Sequence, residues 1–235
     1  MTVDILRNRI DVSTPVGQSG DWSISEFHVS EEEAAGYNLI RTLQGRSMMC
    51  VQPGSYRRLM HAQRGVVMSN TPMEVRTNSK FLLRAKGSVL VNGLGLGMVI
   101  TALFAKDNVT KVTVVEIDKD VIALTAGHFA KEINEGRLVI INEDCMTRKV
   151  GEKEQYECVW HDIWDTISDE NIEQMNKLKR KFAKHTKWQA CWAEDQCREM
   201  RAKFVAQLKA HGKTMTDFNN YMKTRFNNYT KGKMQ

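Results

Sequence analysis

SVLVNGLGLGMVITALFAKDNVTKVTVVEID, residues 88–118, decides the fold. SVLVN (88–92) is a short, nearly continuous apolar run of the kind that forms a strand buried on both faces. Three glycines follow at alternate positions, Gly93, Gly95 and Gly97. GMVITALFAK then reads as a crossover helix, and KVTVVEI (111–117) as the second strand, ending on Glu116. Strand, glycine turn, helix and strand make the first half of a nucleotide-binding α/β domain. The turn and Glu116 mark its pocket.

The same alternation continues downstream. DKDVIALTAGHFAKEI (118–133) has helical spacing, RLVIIN (137–142) is a third strand, and YECVWHDIW (156–164) a fourth. Apolar strands alternating with helices predict a mostly parallel sheet with helices on both faces. Beyond Thr166 a helix is expected over 168–185 with Ser168 as its cap, a strand over 187–194, and a helix over 195–212 ending at Gly212. A weaker helix then runs into a polar tail. Upstream, residues 1–20 show no period and read as an arm. WSISEFHVS (22–30) alternates like a strand, and 31–43 is a helix with Ser30 at its N-cap. Residues 55–70 form a hairpin turning near Gln63–Gly65. A helix covers 71–85, with Thr71, Pro72 and Glu74 as a capping box. The expected organisation is an N-terminal arm with a β-hairpin and helix (1–86), a Rossmann-like core (87–194), and a basic helical extension (195–235).

Composition narrows the class. The 235 residues are 42% hydrophobic and 26% charged, as in soluble globular proteins. No apolar run approaches the ~20 residues of a membrane span, and MTVDILRNRID carries charges where a signal peptide would be apolar. A cytoplasmic location is expected. The five cysteines are scattered without a CxxC pair, so reduced thiols are expected, and no metal ligand cluster stands out. Charge is uneven. Lys177–Gln235 holds 15 basic and 4 acidic residues, a net of +11, whereas residues 1–176 carry a net of −5. The basic end could meet phosphates or nucleic acid. Solvated helix faces account for the same residues.

The chemistry-bearing positions sit at predicted strand ends. Glycines let a ligand lie against bare backbone, and a helix N-terminus behind them favours an anion. The spacing is GxGxG rather than GxGxxG, which suits S-adenosylmethionine better than a dinucleotide. Glu116 is positioned to accept the hydroxyls of a ribose, with adenine near Ile117. At the third strand end, Asp144 can accept an adenine amino group while the Cys145 amide reaches a ring nitrogen. Asp144 is also readable as a loop carboxylate with no ligand. The fourth strand ends in His161-Asp162-Ile163-Trp164-Asp165. Asp162 and Asp165 can hold an ammonium or take a proton. Strand alternation turns His161 away from them, toward packing. The pairs Trp160/Trp164 and Trp188/Trp192 are either packing residues or a stacking platform. No NPPY-type segment follows the fourth strand, and no Pro-Cys pair is placed for attack on cytosine.

VLVNGLGLG, VVEID, INED and HDIWD resemble, in order, the motifs of class I S-adenosylmethionine-dependent transferases. The likeness is closest to the spermidine synthase (aminopropyltransferase) branch. Val91 stands where typical methyltransferases have an acid, and Asp162-x-x-Asp165 resembles the catalytic aspartate segment of that branch. The resemblance covers roughly residues 55–170. It implies the class I methyltransferase fold, S-adenosylmethionine or decarboxylated S-adenosylmethionine as cofactor, and Asp162 and Asp165 as catalytic residues. Met68, Met73 and Thr77 stand where the branch carries a Gln, an acid and a Tyr that contact ligands, and Leu96 replaces an aspartate in the turn. A methyltransferase of unknown acceptor is therefore the leading expectation. An aminopropyltransferase is the second, and a non-catalytic protein binding an adenosyl ligand or nucleic acid the third. Oligomeric state stays open, a homo-oligomer included.

Overall fold

A computed structural model describes residues 3–5, 8–45 and 50–220. The predicted tail past residue 220 lies outside the described residues. The chain divides into a large unit, Met1–Thr166 with Glu173–Ala193, and a small one, Ile167–Ile172 with Glu194–Gln235.

The large unit is built on five parallel strands: β7 (Gly87–Asn92), β8 (Val109–Glu116), β9 (Leu138–Asn142), β10 (Tyr156–His161) and β11 (Thr186–Cys191). Their order is β11-β10-β7-β8-β9. The chain moves outward from β7 through β8 to β9, then returns to β7's other side for β10 and β11. Right-handed crossovers place α3 (Met98–Phe104) and α6 (Asn171–Phe182), which travel in opposite directions, on opposite faces. This is the class I methyltransferase type of α/β fold. The strand order reverses between β7 and β10, so their C-terminal ends part and leave a crevice. Among the described residues the sheet has no antiparallel strand. Leu90, Val115, Tyr156, Val159, Leu178 and Phe182 pack into one buried cluster of its core.

The N-terminal part is larger than a hairpin. β3 (Gly17–Ser19), β4 (Trp22–Val29), β5 (Gly54–His61) and β6 (Gly65–Ser69) form one antiparallel sheet. The expected arm contributes β3 and a two-stranded ribbon, β1 (Val3–Asp4) with β2 (Arg9–Ile10). Strands of two or three residues carry no readable period. Their anchoring is tertiary: Ile10 is buried, and the buried Thr14 hydroxyl donates to the Leu96 carbonyl at 2.8 Å. Helix α1 (Glu31–Leu43) starts on the expected cap, as Ser30 and Glu33 exchange side-chain and backbone hydrogen bonds.

Two local expectations fail. Thr71 makes no cap bond to α2 (Pro72–Arg84); its hydroxyl pairs with Ser69 Oγ at 3.0 Å. Glu74 turns inward instead of reaching back. The helix expected over 118–133 is α4 (Lys119–Thr125), a 3-10 turn (Ala126–Phe129) and α5 (Ala130–Asn134). Gly127 lies in the turn, and the Thr125 hydroxyl just before it bonds to Gly95 O at 2.9 Å.

In the small unit, α7 (Glu194–Ala210) ends at Gly212, whose φ of 65° and the Lys213-to-Leu208 amide bond form a left-handed C-terminal cap. Its basic side chains are partly paired within the unit: Arg198 with Glu194, Lys203 with Glu199, Arg201 with Asp169.

Gly93 is irreplaceable by this geometry. Its φ is 105°, and a Cβ there would lie 1.9 Å from the Asp162 carbonyl oxygen. Gly93→Ala should cost on the order of 3 kcal/mol or more in urea unfolding. Gly127→Ala, which meets nothing within 4 Å, should stay within about 1 kcal/mol of the parent.

Candidate functional site

A cavity of about 350 Å³ opens at the C-terminal edge of the parallel sheet. Its floor is the glycine turn. The Gly93 amide donates to Val115 O at 2.9 Å, which ties the turn to β8. The Leu94 amide donates to Glu116 Oε2 at 2.8 Å and the Asp118 amide to Oε1 at 2.9 Å. Glu116 thus clamps the turn on one side and the start of α4 on the other. Burial raises its carboxyl above the ordinary range, while these amide bonds pull it back down. Each oxygen keeps a further lone pair for a ligand hydroxyl.

Beside Glu116, Ile117 lines the cavity with 67% of its surface exposed, a bare apolar face at a strand end. Asp144 and Cys145 line it too. The Asp144 carboxylate accepts the Met146 amide at 2.7 Å and the Thr147 hydroxyl at 3.2 Å, so it braces its own turn. Burial pushes the Cys145 thiol up to about 12, which leaves it unreactive. No described residue accepts its amide. Gly93 and Gly95 line the cavity; Gly97 does not. Gly97 caps α3 in a left-handed conformation with the Phe129 ring packed against it.

The other rim comes from β10 and α2. The Asp162 carboxyl, at the end of β10, is driven up to about 7 by burial against a lowering hydrogen bond from Trp160. Glu74, 8% exposed, is raised to about 8 by burial and by the charge of Asp162. Asp165 is different: it pairs with Arg64 at 2.5 Å near the cavity mouth. His161 faces the other side, fully buried. Its Nδ1 accepts from Asn92 Nδ2 at 2.7 Å, and its Nε2 donates to Gln189 Oε1 at 3.1 Å. Gln189 Nε2 donates onward to Lys179 O, which fixes the amide and hence this direction.

The tryptophans divide. Trp160 and Trp188 stack with Phe81, whereas Trp164 and Trp192 line the cavity, held by Gln174 Oε1 and Thr77 Oγ1. Among the lining residues, sequence reasoning gave no site role to Trp22 or Arg64, read Glu74 only as a cap, and read Met68 only as a replaced family position. All four come from the N-terminal sheet or α2, outside the strand-end pattern. Met68 matters most, because its Sδ accepts the Leu96 amide and lies 2.2 Å from where a Gly95 Cβ would stand.

The spermine/spermidine synthase domain family matches residues 69–227, well over half of the sequence. The chain belongs to that family. Proteins of this family use S-adenosylmethionine or its decarboxylated form. No curated protein matches the chain. Among solved structures, it is 18% identical to the CcbJ methyltransferase from Streptomyces caelestis, covering 45% of this chain and 43% of that one at a TM-score of 0.34. Glycopeptide N-methyltransferase MtfA complexed with sinefungin is 17% identical over 46% and 43%, TM-score 0.34. A Clostridium acetobutylicum S-adenosylmethionine-dependent methyltransferase is 14% identical over 48% and 46%, TM-score 0.35. The chain spans less than half the length of each. Against the family pattern, three of the replaced positions have other tasks: Met68 covers the glycine turn, Thr77 holds Trp192, and Met73 lines a separate cavity with Tyr37 and Pro72. Among the described residues no helix is long and apolar enough to cross a membrane, and no group of three or more His, Cys, Asp or Glu is arranged for a metal ion.

Glu74 makes stability depend on pH. Its carboxyl rises from an ordinary 4.5 to about 8 on folding, so between those values the folded chain holds a proton that the unfolded chain has lost. Stability therefore falls as pH rises through that window. Glu74→Gln should raise Tm by roughly 2–4 °C at pH 9 and leave it nearly unchanged at pH 4, read by scanning calorimetry.

Proposed function

We propose that this chain is an S-adenosylmethionine-dependent methyltransferase whose cofactor lies over Gly93 and Gly95 in the cavity. The observation that carries the proposal is the convergence of Glu116, Ile117, Asp144 and the Cys145 amide on one cavity beside the glycine turn. Glu116 would hold the ribose, Ile117 would cover one adenine face, and Asp144 with the Cys145 amide would read its edge. Asp162 would hold the cofactor's ammonium. Gly97 contributes only by starting α3. Met68 is the one poor fit, because it lies on the backbone that the ligand would touch, and its unbranched thioether can swing aside.

Bound there, the cofactor supplies a carbon made electrophilic by its sulfonium. The protein's part is placement, exclusion of water and proton handling. Leu94, Trp164 and Trp192 give the cavity apolar walls. With a carboxyl driven up to about 7, Asp162 is matched to accept the proton that a nucleophile loses as it is alkylated. Glu74 beside it keeps the pair from carrying two charges. Asp165 can serve as base only after leaving Arg64.

Aminopropyl transfer is the second reading. Family membership and the neighbouring Glu74 and Asp162 carboxyls favour it, since paired carboxyls suit a cationic amine. The altered Met68, Met73 and Thr77 positions weigh against it, because an amine substrate would lose polar contacts there.

Calorimetric titration with S-adenosylmethionine and methylthioadenosine tests the site. Micromolar binding of both is expected, weakened about tenfold or more by Glu116→Gln, as one charged hydrogen bond to a hydroxyl is lost. Asp162→Asn should slow turnover by about 10²-fold or more. Failure of both ligands to bind would overturn the proposal.

A further inference from the structure

We infer that Arg64 selects the intact, carboxylate-bearing adenosyl sulfonium over its decarboxylated form. The inference rests on the proposed adenosyl site and names the feature of the ligand that the site reads.

The cavity is lined by seven carboxyls, from Glu74 to Asp165, and among the described residues by one cation, Arg64. Such a lining attracts a sulfonium and an ammonium. It repels a ligand carboxylate everywhere except at the guanidinium. A decarboxylated ligand, carrying two positive charges and no anion, would need no arginine in its cavity.

Arg64 is also built in. It occupies the turn between β5 and β6, with its guanidinium 4.7 Å from the centre of the Trp22 ring. Trp22 is fixed in turn: its indole N–H donates to Asp118 Oδ2 at 2.6 Å, and its ring meets His61 edge-on at 4.9 Å. The cation therefore rides on a platform tied to the same rim that Glu116 clamps. One nitrogen, Nη1, bonds to Asp165. Nε and Nη2 have no acceptor among the described residues. A guanidinium with free donors in a fork is suited to a carboxylate, which a lysine would meet only as a point charge. Holding Asp165 with one nitrogen leaves the others for the ligand.

The test is calorimetric titration of the full chain with three probes: S-adenosylmethionine, decarboxylated S-adenosylmethionine and methylthioadenosine. Wild type should bind the intact form more tightly than the decarboxylated form. In Arg64→Met, affinity for the intact form should fall about tenfold or more. Binding of the decarboxylated form should hold or tighten, and methylthioadenosine, which lacks the amino-acid portion, should stay within about twofold. Arg64→Lys should fall between. The Arg64 side chain is 46% exposed in a surface turn, so both variants should fold, which thermal unfolding checks. If methylthioadenosine binds but the two sulfonium affinities shift together, or wild type prefers the decarboxylated form, the inference is overturned and the adenosyl site survives. If methylthioadenosine does not bind wild type, the site falls and the inference with it.

Discussion

The closest contact between the two central strands governs the rest of the site. The Asp162 carbonyl approaches Gly93 so nearly that no side chain fits between them, and the Asp162 amide bonds back to Asn92 O at 2.8 Å. This contact brings the end of β10 against the start of the glycine turn. It places the Asp162 carboxyl in the cavity and fixes the direction in which the turn leaves β7. Beneath it, the buried relay from Asn92 through His161 to Gln189 crosses three strands. Buried polar groups of this kind cost free energy unless paired, so they favour one register of β7, β10 and β11.

Carboxyl burial dominates the electrostatics, and the site treats its acids unequally. Glu116 accepts two backbone amides, which offset much of its desolvation. No described residue donates a hydrogen bond to the Glu74 carboxyl, and it lies next to Asp162, so it holds its proton near neutral pH. Asp165 escapes the problem by pairing with Arg64. An acid braced by amides, an acid that keeps its proton and an acid neutralised by a cation serve different ends: the first fixes structure, the second holds a proton, and the third can be released. A cavity that concentrates acids in this way gives up stability.

Family resemblance and local chemistry diverge at the replaced positions. The turn glycines, Glu116 and the Asp162–Asp165 segment, which resemble the family's motifs, all lie within the matched residues 69–227. Met68, Met73 and Thr77 depart from those motifs, and each has a defined structural task. On the proposed function, the residues for an adenosyl group are present while those that would contact an amine are replaced. Of these positions Met68 lies on β6, and Met73 and Thr77 lie on α2.

Residues 88–118 by themselves determined the α/β architecture. A buried strand, a glycine turn and an amphipathic crossover are local patterns whose periods survive in one dimension, and so are the acidic strand ends at Glu116, Asp144 and Asp162. The N-cap at Ser30 was legible for the same reason. Thr71 and Glu74 carried an equally good local signature and the helix starts where it says, yet the capping bonds do not form, because Glu74 enters a cavity that no short-range pattern describes. Residues 1–20 looked featureless because strands of two or three residues have no period. Gly97 looked like a ligand contact and is a helix cap, since only the Phe129 ring against it distinguishes the two roles. Arg64 on Trp22, Met68 over Gly95 and the close approach of Asp162 to Gly93 were decided by tertiary structure alone. Each joins residues 27 or more positions apart, and such contacts are set by how the sheets pack rather than by the sequence on either side.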